Sequence, residues 1–479
     1  MKKFYLAIIA TLSMSASAFA GGFVTNTNQN AAFLRQPAQD AIIGVGSAYF
    51  NPAGVAFLDR KFYLSINEQY ARQTREITST YAPFAYGNDS DTKLFKGKTL
   101  APVIPSIDAA WRVTDKFFTS VHIGIVGGGG NADFAHGMGS LESQIAILPA
   151  VLNGMAGANV AGYSADINLC GKQFIIGGQL NLGYRITNNL SVALGLRANY
   201  FYNNYKGALK NINISGLENF PQLAPLLPKF SAMLGDKELE CTQTDLAWTP
   251  ILSIDYKVGI FNFAAKYEFN TKVRLTNDTE DGKDAGMLQF QDDKKGMASD
   301  IPALLAIGAQ VNLLPCLRVN VGFHTFFDKD AKFYNSLTDA NDRQNSIKNN
   351  SHEILAGVEY DLNDKFTLSA GGQITRFGWD DNLTFITDQS FNVDSYSLGA
   401  GIRYNLSDRI SIDAAVFKTF YDRCDKSWSD YANAGASLWA RLQAAGVPLP
   451  VTADALKIEG KDSFYRTNTV FGVGLNFAF

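Results

Sequence analysis

The sequence predicts an all-β fold: a transmembrane antiparallel β-barrel of about 14 strands whose lumen is plugged by an N-terminal segment. Three features predict it. The chain ends in an alternating run that stops on an aromatic residue, short polar turns alternate with long connections, and the first residues form an export signal.

The terminal run is Thr469–Phe479. Phe471, Val473, Leu475, Phe477 and Phe479 fall on one face of a strand; Gly472, Gly474, Asn476 and Ala478 fall on the other. Apolar residues toward lipid and small or polar ones toward a lumen is the pattern of a membrane-spanning strand. At the start, Met1-Lys2-Lys3 is basic, Phe4 to Leu12 is apolar, and Ala18-Phe19-Ala20 offers small residues for cleavage. Residues 1–20 therefore read as a secretory signal peptide, too short and wrongly flanked for a spanning helix. No later stretch reaches the roughly 18 consecutive apolar residues that such a helix needs.

Mean hydropathy is -0.05, a value a barrel shares with soluble proteins because half of each strand faces a polar lumen. The 20 tyrosines and 34 phenylalanines suit aromatic girdles at two membrane interfaces. A net charge of -3 gives no basis for nucleic-acid binding. No linker-like change of composition divides the chain, so residues 61–479 are expected to form one barrel.

The short turns are Thr114-Asp115-Lys116, Thr187-Asn188-Asn189, Lys257-Val258-Gly259, Leu314-Pro315, Asn363-Asp364-Lys365 and Ser407-Asp408-Arg409. Each precedes a strand-like run, and a longer connection separates successive turns. That asymmetry places short turns in the periplasm and long loops outside. The predicted strands are 61–73, 104–113, 117–127, 173–186, 190–205, 246–257, 260–275, 301–312, 316–328, 352–361, 365–378, 393–405, 409–421 and 464–479. An even count returns both ends of the barrel to the periplasm. In the fifth strand Leu190, Val192, Leu194 and Leu196 should face lipid, and Ser191, Gly195, Arg197 and Asn199 the lumen. In the seventh, Phe261, Phe263, Ala265, Tyr267 and Phe269 point out while Asn262, Lys266, Glu268 and Asn270 point in. In the ninth, Val319, Val321 and Phe323 point out and Arg318, Asn320 and His324 in. A soluble sandwich shares such alternation; the turn asymmetry, export signal and terminal Phe479 argue against one.

Three long extracellular loops are expected, at 128–172, 206–245 and 422–463. The first contains a helical stretch, Leu141–Ala158, with Leu148 and Leu152 among its apolar positions. The second carries Leu223, Leu226, Leu227 and Phe230 between prolines, and the third a helical turn near Ala436–Ala445. Loops this apolar either pack on each other as a cap or receive a greasy ligand, and the two readings are compatible.

Residues 21–60 do not fit the strand repeat. Phe33, Leu34, Ile42, Val45, Tyr49, Phe50, Val55 and Phe57 are too many apolar groups for a solvated tail. A barrel of about 14 strands is too wide for its own side chains to fill, so this segment is expected to fold into the lumen as a plug.

The stretch Asp40–Ala56, with Asn51-Pro52-Ala53-Gly54 at its heart, resembles the N-terminal signature of the FadL/TodX/OmpP1 family of outer-membrane transporters. In that family such a run lies in a hatch just before the first strand. The resemblance extends over the chain as architecture, although the Gly127–Gly130 run stands where many relatives carry a Pro-Phe-Gly-type sequence. It implies a bacterial outer-membrane protein that passively imports hydrophobic molecules, long-chain fatty acids or aromatic hydrocarbons, without cofactor or energy source. Loops capture the ligand, a lumen pocket beside the hatch receives it, and a kink in the third strand releases it sideways. The hatch motif is then Asn51, Pro52, Ala53 and Gly54, with Gly22 and Phe23 as its gate. Gly124, Gly127 and Gly128 are candidates for the kink; the alternative is that they only open the loop.

Candidates for an anionic headgroup are the inward-pointing Arg197, Lys266, Arg318, Arg376 and Arg403, each equally suited to pairing with a lumen carboxylate. Cys170 and Cys241, near the ends of two loops, are candidates for a disulfide. His122, His136, His324 and His352 show no metal-ligand spacing, and no nucleophile motif accompanies them, so neither a metal site nor an enzyme is expected. The acidic run Asp278, Glu280, Asp281, Asp284, Asp292 and Asp293 reads as a solvated face, with ion bridging to lipopolysaccharide as the alternative. A monomer contacting outer-membrane lipid and lipopolysaccharide is expected. The competing functions are an adhesive surface barrel that binds a partner through its loops, and a general porin.

Overall fold

The computed structural model describes residues 28–156, 159–216, 235–285, 290–292, 296–334, 347–384, 386–444 and 452–479. Among these, 14 antiparallel strands close into a barrel. They are β1 (Phe62–Tyr81), β2 (Thr92–Arg112), β3 (Phe117–Phe134), β4 (Gly162–Arg185), β5 (Leu190–Ser215), β6 (Lys237–Val258) and β7 (Phe261–Glu268, continued after a break by Arg274–Asp284). Then follow β8 (Leu304–Leu314), β9 (Leu317–Phe326), β10 (Ser351–Asn363), β11 (Phe366–Arg376), β12 (Ser395–Ser407), β13 (Ile410–Tyr421, continued by Cys424–Trp428) and β14 (Gly460–Ala478). β1 closes on β14, in register from Tyr63↔Ala478 to Tyr81↔Gly460.

Each of the six predicted short turns joins neighbouring strands. The faces also fall as the alternation requires. Leu194 and Leu196 are 65% and 46% exposed on the lipid side, whereas Arg197 and Asn199 are 1% and 0% exposed inside. Phe261 and Phe263 point out; Asn262, Lys266 and Glu268 are buried. Aromatic pairs ring both rims: Phe117–Tyr184 and Phe366–Tyr404, each at 4.9 Å between centroids, on the turn side, and Tyr396–Phe420 at 5.0 Å on the loop side.

β1 to β6 are longer than predicted, and the three loops are shorter. β3 runs to Phe134 and β4 starts at Gly162; β5 runs to Ser215 and β6 starts at Lys237. About 9–11 residues suffice to cross a bilayer, so the 24 residues of β4 and 26 of β5 stand far above it. There neither face meets lipid and the alternation that marks a spanning strand is lost. Instead Lys206 pairs with Glu240 and Lys210 with Glu238 across the β5–β6 ladder. The predicted helices are present, α3 at Gly139–Ala156 and α4 at Ala434–Ala444.

Residues 28–58 lie inside the barrel. Asn30 caps α1 (Ala31–Arg35), its Oδ1 accepting from Phe33 N at 3.0 Å. α2 (Ser47–Phe50) follows, and Pro52 opens a 3-10 turn, Pro52–Phe57, where a missing N–H costs nothing. Polar contacts hold this hatch to walls all round the barrel. Asn30 Nδ2 donates to Asp108 Oδ2 on β2 at 3.2 Å. Asn51 Nδ2 donates to Asp255 Oδ2 on β6 at 2.6 Å. Ala53 N donates to Ser253 Oγ at 2.9 Å, and Ser191 Oγ to Ala53 O at 2.7 Å. Arg35 pairs with Glu359 on β10 at 3.1 Å and Asp413 on β13 at 3.2 Å. The hatch comes so close to the wall that a Cβ on Gly472 would sit 2.4 Å from Leu34 Cδ1, which is why β14 carries a glycine there.

Replacing Asn51 by Ala leaves the Asp255 carboxylate short of one donor in a buried site. The expected cost is about 1–3 kcal/mol in hatch docking, read as faster amide exchange across residues 28–58 while the barrel strands keep their protection.

Candidate functional site

The β6–β7 ladder is interrupted between Ile251↔Glu268 and Thr244↔Thr276, and a second interruption parts β2 from β3. Their ladder runs up to Ser106↔Gly124 and resumes at Leu100↔Asn131; residues 101–105 and 125–130 between those points have no partner across the seam. Two sequence features produce the break. Pro102 and Pro105 have no N–H to give to a ladder. On the other side, β3 bulges against β4, with register shifts at Ile125/Gly127 and Gly127/Gly130. Gly128 and Gly130 have φ of +105° and +69°. A Cβ on Gly128 would meet Gln173 O of β4 at 2.4 Å, so only glycine fits. Gly124 is the last paired residue before the break, Gly127 lies inside the bulge and Gly128 makes its sharpest turn. None of them merely opens a loop, because the strand continues to Phe134.

A break in a wall that faces lipid leaves backbone donors to be satisfied. Ile104 N donates to Glu68 Oε1 at 2.9 Å. Glu68 shares its face of β1 with Ile66 and Tyr70, both exposed on the outer side. A carboxylate on that face has little other reason to be there. Sequence reasoning missed Pro102, Pro105, Gly130 and Glu68. Two prolines within a strand-like run were the available signal.

Behind the seam the interior is apolar. Ala101, Ile104 and Val126 from the two parted strands pack in one cluster with Phe33, Tyr49 and Phe50 of the hatch. Above this layer a second cluster fills the extracellular half of the barrel, with α3 and α4 resting on Tyr81, Phe84 and Tyr431. Leu148 and Leu152 are buried in this cap. Leu223, Leu226, Leu227 and Phe230 lie outside the described residues, as do Gly22 and Phe23. The cap is tied down by Asp388, whose Oδ2 accepts from Ser140 N at 2.8 Å at the start of α3; burial pushes this carboxyl up to about 6. Below the hatch, toward the turns, a polar cavity of ≈ 490 Å3 is lined by Arg35, Asp59, Lys257, Arg403 and Arg409, among others.

The five candidate headgroup cations are all engaged by carboxylates. Arg197 pairs with Glu268, as does Lys266 at 2.7 Å, and both stack on the Tyr49 ring. Arg318 pairs with Asp361 at 2.6 Å and Arg403 with Asp413 at 2.9 Å. Arg376 is half out of the barrel, 3.6 Å from Asp394. These groups hold the hatch and the wall. The inward histidines do the same. His122 Nδ1 lies 2.7 Å from Asp108 Oδ1, and His324 bridges Asp40 of the hatch at 3.0 Å and Glu353 at 2.9 Å.

The expected disulfide is not formed: Cys170 and Cys241 are free thiols. Cys170 is on β4 and Cys241 on β6, and β5 runs between them, with Lys206 opposite one and Tyr205 opposite the other. Two strand spacings amount to roughly 10 Å, beyond the reach of a bridge. Asp278, Glu280, Asp281 and Asp284 lie on the exposed continuation of β7, where Glu280 pairs with Lys283 at 2.8 Å. No group of three or more His, Cys, Asp or Glu among the described residues is arranged to hold a metal.

Solved structures share this architecture at low identity. A FadL homologue of Pseudomonas aeruginosa superposes with a TM-score of 0.63 at 13% identity, over 97% of this chain and 100% of that one. The toluene transporter TodX of P. putida superposes with a TM-score of 0.55 at 14% identity, over 91% of this chain and 94% of that one. No curated protein sequence matches the chain. The family model described as outer membrane protein transport protein (OMPP1/FadL/TodX) matches residues 10–455. The chain therefore belongs to this family of outer-membrane transporters of hydrophobic compounds.

Proposed function

We propose that the protein admits hydrophobic small molecules, long-chain fatty acids or aromatic hydrocarbons, through the cap. It holds them in the apolar layer above the hatch and releases them sideways into the membrane between β2 and β3. The observation that carries this reading is the lost β2–β3 pairing between Ser106↔Gly124 and Leu100↔Asn131, backed by Ala101, Ile104 and Val126. A greasy molecule gains about 0.8 kcal/mol per buried methylene. A route from apolar cap to apolar layer to lipid never asks it to enter water. The polar cavity under the hatch lies off this route. Asn51, Pro52, Ala53 and Gly54 anchor the hatch floor, and Gly22 and Phe23 precede it as its gate. No chemistry is assigned to the protein. A porin needs a continuous polar lumen, which the hatch and its apolar layer do not offer; an adhesive barrel gives no reason for a seam in the wall.

The direct test replaces Pro102 and Pro105 by Val together, restoring two backbone donors and allowing the ladder to close. Uptake of a labelled fatty acid into vesicles holding the protein is expected to fall on the order of tenfold, because a closed ladder must be broken for each passage. Unchanged uptake rules out this seam as the exit. Separately, Gly128→Ala forces a left-handed backbone and a clash with Gln173 O. It is expected to cost about 1–3 kcal/mol in urea unfolding, while Gly178→Ala, with open space around it, is expected to be near neutral.

A further inference from the structure

The outer face of the wall carries a basic patch on the side where the β2–β3 seam lies, and strand register places its members. Lys418 of β13 is opposite Thr469 of β14, and Thr469 is opposite Arg72 of β1. Arg72 is opposite Leu100 of β2; the next rows toward the loops set Thr74 against Lys98 and Glu76 against Lys96. Arg72, Lys96, Lys98 and Lys418 are exposed and share the outward phase of Tyr70, Leu100 and Val416. Arg72 and Lys98 are diagonal neighbours on adjacent strands, roughly 7–8 Å apart and within reach of a common partner for two long side chains. Lys418 stands two strand spacings from Arg72, roughly 10 Å.

The patch sits where the lipid belt ends. The row just below it, Tyr70, Phe471 and Val416 across β1, β14 and β13, is apolar and 40%, 53% and 39% exposed. Lys418 Nζ lies 5.0 Å over the ring of Phe420, a member of the loop-side aromatic rim. The cations therefore stand at headgroup level in the outer leaflet. Lys96 meets Glu76 at 3.6 Å. Arg72, Lys98 and Lys418 form no ion pair among the described residues, although Asp133 of β3 is opposite Lys98. On β5 to β7, by contrast, Lys206 meets Glu240, Lys210 meets Glu238 and Lys283 meets Glu280. Open cations directly above an apolar belt, a guanidinium among them, match one chemistry: phosphate on an acylated lipid. In the outer leaflet of an outer membrane that lipid is lipopolysaccharide, a multiply acylated and phosphorylated glycolipid.

We propose that Arg72, Lys98 and Lys418 bind the phosphates of a lipopolysaccharide molecule on the outer wall, its acyl chains lying down the face of Tyr70, Leu100 and Val103. The β2–β3 ladder resumes at Leu100↔Asn131, so the patch stands on the upper lip of the seam. Val103, in the unpaired stretch of β2, is 65% exposed. Acyl chain from the bound lipid covers the mouth of the seam. The site does not depend on what passes through that seam.

The test titrates bisphosphorylated lipid A into the purified protein in detergent micelles and reads bound lipid by native mass spectrometry. Wild type is expected to bind it on the order of tenfold more tightly than the same lipid A stripped of its phosphates. Arg72→Gln combined with Lys98→Gln is expected to lose affinity for the phosphorylated lipid on the order of tenfold, as for loss of charge-assisted contacts, and none for the stripped lipid. Lys272→Gln, an exposed lysine on β7's side of the barrel, is expected to bind as wild type does. Added salt should weaken binding to wild type more than to the double variant. Heat-modifiable migration checks that the variants fold, and the comparison of the two lipid forms on wild type serves if they do not. Equal affinity for both forms, a double variant that binds as wild type does, or phosphatidylglycerol that binds as tightly as phosphorylated lipid A overturns the site.

Discussion

Everything in this molecule depends on the rule that backbone N–H and C=O groups facing lipid must find partners within the wall. The barrel obeys it by closing β1 on β14 and pairing each strand with two neighbours. The seam between β2 and β3 is instructive because it departs from the rule at so few atoms. Pro102 and Pro105 contribute no donors to be orphaned, of the two N–H groups between them that of Ile104 is taken by Glu68, and β3 stores its surplus length in the bulge against β4. The opening thus leaves little unsatisfied and has a fixed address. An opening to lipid is stable only if what lies behind it is apolar, and that is where Ala101, Ile104 and Val126 meet the hatch aromatics.

The lumen poses the opposite problem. A ring of this many strands encloses more space than its own side chains can fill, and the hatch fills it with polar joints. Arg35 reaches Glu359 and Asp413, Asn51 reaches Asp255, and Lys266 lies between Glu268 and Tyr49 O. Such pairs add little net stability once desolvation is counted, but each is strongly directional. They fix where the hatch sits, and so divide the lumen into an apolar space above and a polar vestibule below. For a hydrophobic cargo the floor is therefore the unfavourable direction and the wall the favourable one.

Sequence periodicity revealed the barrel because lipid on one face and a filled lumen on the other impose a period of two. Leu194 beside Arg197, and Phe471 beside Gly472, show it directly. Above the bilayer that contrast ends, so the upper halves of β3 to β6 read as loop. The hatch motif was legible because Asn51, Pro52, Ala53 and Gly54 each meet a local steric or hydrogen-bonding need. The seam was only half legible: its glycines stood out, whereas its prolines acquire meaning only once β2 is known to reach down from Thr92. The lumen cations could not be sorted at all. Inward phase is the same for Arg197 and Arg318; the carboxylates that engage them, Glu268 and Asp361, are brought within reach only by register.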